Sequence, residues 1–442
     1  MRSDFKFSIQ WHITSKCLNK CKHCYMYNDD YVQETMSLSD FKAILENINN
    51  FEKKYEVEIK HYALTGGSAL LHPNCKEMID FLMDKGKKVF LMDIPEMLTD
   101  ENLRYLKDRE ISQVQLSLDG LPETHDSIRG RGSFERTIEG YKKLNESDIQ
   151  ASIMYTVSKN NADDLFPLID YLLEHVRKFN FAYDFVVCEG NAKENNLALD
   201  REKALILMRK YLEYVINVNG HYDDAFLILK PSPYHMLNYY QNDTPMTFSN
   251  EYSMVSGCHV GWRSISILPN GDALPCRRMP ISLGNLLSES FEDLLLGSEL
   301  MRHFRHYESS MDQCGSCQYA KACRGCPADS YGRSGDPFGR YAYCFCDEKP
   351  RNNSFRDVSY LNNSYAEEFD LIMKTMDNQI ANNLPDLLKT GKMLQAWKDI
   401  GVNSSKEEQA QFTYAYPEWD KTHHTNLDLD QKYLLSLLLA KE

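Results

Sequence analysis

Nowhere in its 442 residues does the chain hold an unbroken apolar run of about 18, the length a membrane-spanning helix needs. Its opening, MRSDFKFSIQWHIT, has no apolar stretch behind a basic start, so no secretion signal is read and a cytoplasmic location is expected. Positive charge is scarce. Fifty Lys and Arg against 64 Asp and Glu leave a net charge of −14, which argues against a nucleic-acid partner, since such proteins need a basic surface. No segment repeats, and 43% hydrophobic with 26% charged residues is neither fibrous nor disordered composition. The length suggests two or three domains and a large buried core.

What the chain does hold is cysteine, thirteen in all. An odd count in a long chain without a secretion signal argues against a disulfide framework. Three fall within residues 17–24 and eight within 258–346; Cys75 and Cys188 stand alone. Cysteines clustered at short spacing in a reducing compartment point to metal.

Periodicity divides the chain. Residues 1–220 alternate apolar, β-branched runs at 5–14, 58–65, 87–94, 112–118, 150–157 and 182–188 with helical patterns such as FKAILENINNFEKKY, CKEMIDFLMDKG, ENLRYLKDRE, FERTIEGYKKL and LFPLIDYLLEHVRKF. Ser37 and Thr99-Asp100 are helix-start signals, and Gly86 and Gly120 are stops. Six βα units in series predict an α/β fold with a parallel sheet, either a partial (βα)6 barrel or a doubly wound sheet, with chemistry at the C-terminal strand ends. Residues 221–257 read as a connector and 258–346 as a small cysteine-rich domain with one helix near 288–306. Residues 347–442 read as an extension with helices near 364–380 and 428–441.

Cys17-LNK-Cys21-KH-Cys24-Tyr25 follows the first predicted strand directly. Three thiolates in one short loop can hold three irons of a [4Fe–4S] cluster and leave the fourth without a protein ligand. A zinc site completed by His23 or His12 is the alternative. Farther on, Cys314-x2-Cys317 and Cys323-x2-Cys326 suit either iron–sulfur ligation or a pair of zinc knuckles. Gly66-Gly67 reads as a tight turn. Cys75 and Cys188 read as small buried hydrophobes, His12 and His23 as packing or hydrogen-bonding groups, and Arg277-Arg278 as a solvated surface. His303 and His306 lack a carboxylate partner pattern and are assigned no metal.

The CxxxCxxC loop resembles the signature of the radical S-adenosylmethionine family. TGGSALLHP (65–73) is similar to that family's glycine-rich segment after the second strand, and VQLSLDGLPETHDSIRG (114–130) to its fourth-strand segment. YTVSKNN (155–161) and EGNA (189–192) match positions after strands five and six. The resemblance implies that Cys17, Cys21 and Cys24 hold a [4Fe–4S] cluster whose open iron chelates S-adenosylmethionine, and that one-electron reduction releases a 5′-deoxyadenosyl radical. Gly66, Gly67 and Ser68 would then lie at the methionine amino group, Ser117 and Asp119 near the ribose, and Arg129 near the carboxylate. The family prefers an acidic residue where this chain has Ser68.

Cys258-x12-Gly271-x4-Cys276, with the later cysteines and ILPNGDALPC (267–276), resembles the SPASM domain, which binds two auxiliary iron–sulfur clusters. By position, Cys314, Cys317, Cys323 and Cys344 would hold the distal cluster and Cys258, Cys276 and Cys326 the proximal one. Cys346 is an additional thiol that completes the proximal set or replaces Cys344; otherwise an iron there stays open to a substrate thiolate. Proteins of this layout act mostly on ribosomally made peptides, so the expected activity is a radical peptide maturase forming a thioether or carbon–carbon crosslink. The implied partners are a precursor peptide and a low-potential electron donor (flavodoxin or ferredoxin). Only sixteen residues precede Cys17, so leader recognition is expected from a separate protein, from residues 347–442 or from the barrel. Sulfatase-type maturation, forming formylglycine, is the first alternative; Arg277 stands where those enzymes carry an Asp that serves as a base. A non-catalytic zinc scaffold is the second. No general base is assigned.

Overall fold

The computed structural model describes residues 7–27, 33–176, 178–222, 224–228, 258, 260–305 and 323–344. Cys314, Cys317, Cys346 and the helices expected at 364–380 and 428–441 lie outside them.

Six βα units form as the periodicity predicts. Strand β1 (Ser8–Thr14) leads to helix α1 (Leu38–Tyr55), β2 (His61–Gly66) to α2 (Cys75–Met83), and β3 (Lys88–Met92) to α3 (Asp100–Asp108). Strand β4 (Gln113–Ser117) is followed by two helices, α4 (Pro122–Arg129) and α5 (Ser133–Glu146). Then come β5 (Ala151–Val157), α6 (Leu165–His175) and β6 (Phe179–Phe185), with α7 (Asn191–Glu194) and α8 (Arg201–His221) beyond. The start signals act as expected: the Ser37 hydroxyl accepts from the Asp40 N–H at 3.0 Å and Thr99 from that of Asn102 at 3.2 Å.

Strand pairing is parallel from β1 to β6 in chain order, with no reversal. A doubly wound sheet needs a switch point where the order reverses; without one, the partial barrel is what forms. On β1, Ile9, Trp11 and Ile13 enter the core beneath the helices, where Trp11 stacks on Phe41 of α1 at 4.3 Å. Alternation turns Gln10, His12 and Thr14 to the opposite, inner face.

The sheet continues past six strands on both sides. Strand β7 (Ala225–Leu227) pairs in parallel with β6, and β8 (Ser264–Ile267) in parallel with β1. Strands β9 (Asp272–Leu274) and β10 (Gly284–Asn285) extend it antiparallel, giving ten strands in the order β10-β9-β8-β1-β2-β3-β4-β5-β6-β7. The cysteine-rich segment therefore grows out of the barrel's own edge. Three expectations shift. Strand β6 lies three residues earlier than its predicted 182–188 at both ends, because Val186 and Val187 carry the apolar sequence past the last paired residue and so hide the strand's end. The single helix expected near 288–306 is instead a π-helical turn, Asp293–Gly297, and a separate helix α9, Glu299–Arg305, broken where Ser298 is extended. Helix α8 was not marked by periodicity. The last described helix is α10 (Pro327–Ser334).

Candidate active site

The loop that carries Cys17, Cys21 and Cys24 leaves the C-terminal end of β1 and is tied down along its length. At its base, the Gly67 N–H donates to Thr14 O at 2.9 Å and the Ser68 N–H to Lys16 O at 2.8 Å. This approach is why glycine stands here: a Cβ on Gly66 would fall 1.7 Å from Thr14 O, and one on Gly67 2.2 Å from Lys16 O. Midway, the Lys22 N–H reaches Ile128 O of α4 at 3.0 Å. At the far end, the Asn191 N–H is shared between Cys24 O and Tyr27 O, and its Nδ2 donates to Cys21 O at 3.0 Å. Gly190 (φ +53°) makes room, since a Cβ there would meet Tyr27 O at 2.5 Å. Burial pushes the Cys17 and Cys24 thiols up to about 11 and raises Cys21 as well. Such thiols keep their protons until a metal displaces them.

Asp93, just past β3, is a site residue that sequence reasoning missed. It is fully buried beside the glycine-rich segment; the Ser68 hydroxyl donates to its Oδ1, and the Leu70 and Ile94 N–H groups donate to its carboxylate at 2.8 Å each. Burial raises its carboxyl to about 6, against the pull of these donors. The available signal was an acid closing an apolar strand, VFLMD, at the C-terminal edge of a parallel sheet.

Asp119, two residues past β4, is wholly buried and ties three elements together. Its Oδ2 accepts from Arg129 Nε and lies 2.9 Å from His23 Nε2, while its Oδ1 accepts from the Thr156 N–H at 2.7 Å. Burial acts to raise its pKa, but the Arg129 cation and His23 outweigh that and hold the carboxyl well below the usual range. Arg129 in turn points Nη1 at Cys21 Sγ, 3.6 Å away. Asn161, from the YTVSKNN segment, donates to Asp119 O at 2.9 Å. Ser117, the last residue of β4, is half-buried at the same strand end. Cys75 is a core residue, as expected; Cys188 is half-buried after β6 rather than in the core.

The cysteine-rich segment folds back over this end of the barrel. Cys258, Cys276 and Cys326 gather around Arg278, whose guanidinium pairs with Asp184 of β6 at 3.1 Å. Burial disfavours that cation, but Asp184 and the thiols outweigh it and hold its pKa well above the ordinary value. Burial raises Cys258 to about 11 and Cys326 further. The solvated-surface reading of Arg277-Arg278 is therefore overturned: both are half-buried and face the barrel, because the β8–β9 hairpin lies on its edge. Cys323 and Cys344 are half-buried. Among the described residues, no three His, Cys, Asp or Glu side chains close on a point as one metal ion requires. A four-iron cube takes one thiolate per iron and so spreads its ligands wider than zinc does.

Residues 11–172 match the radical SAM superfamily, and residues 258–327 the SPASM iron–sulfur cluster-binding domain. The chain is a radical SAM protein with a SPASM domain. Its cofactors are accordingly a [4Fe–4S] cluster, S-adenosylmethionine and auxiliary iron–sulfur clusters. The AdoMet-dependent heme synthase of Methanosarcina barkeri is 26% identical over 346 residues, spanning 76% of this chain and 95% of that protein. The antilisterial bacteriocin subtilosin biosynthesis protein AlbA of Bacillus subtilis is 27% identical over 72% of this chain and 66% of its own length. In fold, the chain is similar to Streptococcus suis SuiB bound to S-adenosylmethionine (TM-score 0.60, 18% identity, 77% of this chain and 78% of that one). It is also similar to anSMEcpe with bound AdoMet (TM-score 0.61, 17% identity, 87% and 98%).

The donor set fits these radical SAM cofactors. Three thiols on one clamped loop, Cys21 buried and Cys17 and Cys24 half-buried, suit an iron cube, with the Arg129 cation beside Cys21 to offset its negative charge. The Gly67 and Ser68 N–H groups are already spent on the cysteine loop, so what this segment turns to a ligand is acceptor, the Ser68–Asp93 pair included. An acceptor surface suits an ammonium group. Among the described residues, no helix is long and apolar enough to cross a membrane.

Proposed function

We propose that the chain is a peptide maturase, acting on a ribosomally made precursor and forming a thioether or carbon–carbon bond within it. The observation that carries this reading is the pairing of the clamped Cys17–Cys24 loop with a cysteine-rich hairpin built onto the same sheet, so that both cysteine sets border one barrel end. Likeness to AlbA and to the sporulation killing factor maturation protein SkfB of Bacillus subtilis supports it. So does a fold shared with SuiB, solved with its precursor peptide SuiA.

In this reading Cys17, Cys21 and Cys24 hold the radical cluster. Gly66, Gly67 and Ser68, with Asp93 behind them, receive the amino group of S-adenosylmethionine. Ser117 stands at the ribose, Arg129 takes the carboxylate, and Asp119 holds Arg129 and His23 in place. Cys258, Cys276 and Cys326 belong to the proximal auxiliary cluster; Cys314, Cys317, Cys323 and Cys344 to the distal one. Bound together, the cofactors supply hydrogen-atom abstraction from an unactivated carbon, with the auxiliary clusters available for the surplus electron. The chain's own part is to orient the substrate, exclude water and keep Arg129 charged. A flavodoxin or ferredoxin serves as electron donor, and a separate protein is a candidate for leader recognition.

The second reading is a tetrapyrrole enzyme, favoured by the 95% of the M. barkeri heme synthase that the chain spans. Anaerobically reconstituted protein, incubated with S-adenosylmethionine, a reductant and candidate precursor peptides, is expected to release 5′-deoxyadenosine and leave a peptide lighter by two hydrogen atoms. Cys21→Ala is expected to abolish both. Full activity in that variant would sink the radical reading; heme formation from an added iron–tetrapyrrole precursor in a parallel incubation, read by its absorbance, with every peptide unchanged would replace the peptide reading with the tetrapyrrole one.

A further inference from the structure

We propose that Arg277, with His12 beside it, forms a carboxylate-binding site on the inner face of the barrel, and that the substrate presents a carboxylate there. This deepens the peptide reading above and rests on it for the source of the carboxylate.

Arg277 directly follows Cys276 and is carried inward by the β8–β9 hairpin. Its neighbour Arg278 has its anion in Asp184. Arg277 has none: among the described residues it forms no ion pair, and the acceptor facing its Nη1 is the Met92 thioether, 3.5 Å away. Gln10 Nε2 rests on the same sulfur, also at 3.5 Å. A thioether is a weak acceptor, so two strong donors converge on a point that no strong acceptor fills.

His12 supplies the second, independent observation. It lies on the same inner face of β1 as Gln10, is wholly buried, and neither ring nitrogen has a hydrogen-bond partner among the described residues. Burial, reinforced by the charge of Arg277, lowers its pKa to about 3, so the ring is neutral and carries one N–H to donate. A buried donor left unsatisfied is costly. One carboxylate would answer all three groups: a charge-assisted pair with Arg277 and hydrogen bonds from His12 and Gln10. A neutral amide oxygen could accept from one or two of them but without the charge-assisted pair, and a cationic side chain could accept from none.

The test needs no substitution at Arg277. On the full chain, reconstituted without oxygen and saturated with S-adenosylmethionine, the rate of phenylglyoxal labelling is followed at Arg277 by mass spectrometry of the digest. Exposed Arg131 is the internal reference. The probes are succinate against succinamide, acetyl-Gly-Glu-Gly-amide against its Gln counterpart, and acetyl-Gly-Gly with a free carboxyl terminus. Carboxylate probes are expected to slow labelling of Arg277 about tenfold relative to their amide partners, the factor of one charge-assisted hydrogen bond. Arg131 should be unaffected. The protection should shrink in His12→Phe and persist in His12→Asn, each checked for full iron content. Equal protection by amide and carboxylate, or none by either, overturns the proposal. Protection by the Glu peptide or by the free terminus identifies the source of the carboxylate. Protection by succinate alone keeps the carboxylate site and defeats the peptide reading.

Discussion

Asp93 illustrates how one buried acid can stand in for a residue that a sequence pattern expects elsewhere. Resemblance placed an acidic side chain at position 68; the chain has Ser68, and its hydroxyl hands the position a carboxylate from the next strand. Burial lifts that carboxyl to about 6, so it ionises as pH rises through the neutral edge. The sign follows. For folding, a raised carboxyl stabilises the protein most below its unfolded value, and that contribution is lost as pH rises toward 6. For an ammonium ligand the direction is opposite, because the ionised form attracts it. Affinity for S-adenosylmethionine is therefore expected to tighten between about pH 5.5 and about pH 7.5. Asp93→Asn is expected to flatten that dependence and weaken binding about tenfold at the higher pH. Equilibrium dialysis under nitrogen measures both, and an unchanged pH profile in the variant would remove Asp93 from the amino-group site.

The loops that follow β1, β2 and β6 form a single clamp. The sequence showed them as three separate short patterns, and each was legible as a strand-end segment because glycine and cysteine interrupt an apolar run. Their mutual contact was not legible: that the glycine pair serves the cysteine loop depends on β1 pairing with β2, and that Asn191 holds its far side depends on the partial barrel bringing the loop after β6 round to the loop after β1. Gly67→Ala tests the clamp. A Cβ 2.2 Å from Lys16 O has no flexible neighbour to yield, so the loop itself must move. The expected cost is about 3 kcal/mol, the upper end for an overpacked site. Iron per chain should fall before the fold is lost, read by metal analysis beside circular dichroism. Full iron with unchanged thermal stability would mean that the loop has slack the geometry does not show.

At the scale of the molecule, the SPASM segment is joined to the barrel through one continuous sheet and a few partly buried polar ties. Asn47 of α1 holds the stretch after β10, donating to Leu286 O at 3.0 Å and Glu289 O at 2.8 Å, and Phe51 meets Phe291 edge-on. Arg278 with Asp184 is the tie nearest the thiols. Because that pair is only partly exposed, breaking it should cost about 2 kcal/mol, between the surface and buried limits. Arg278→Met should expose the hairpin to limited proteolysis, and a double variant with Asp184→Asn should be less damaged than the sum of the two singles. Strict additivity would show that the two side chains are neighbours without coupling.

The order of strands β1 to β6 and most of the helices between them, their parallel sheet and the cysteine spacing were determined by the sequence itself, because periodicity, capping and ligand spacing are local properties of the chain. The helix expected at 288–306 failed for the same reason: a local pattern does not see the break at Ser298. Tertiary structure alone decided that β8 would join β1, and with it that Arg277 and Arg278 would turn inward from what reads as a solvated pair. It likewise brought Asp93 to Ser68 and left His12 buried without a partner among the described residues. Each of these depends on which strand edge lies beside which, and burial and charge act through that neighbourhood rather than through distance along the chain.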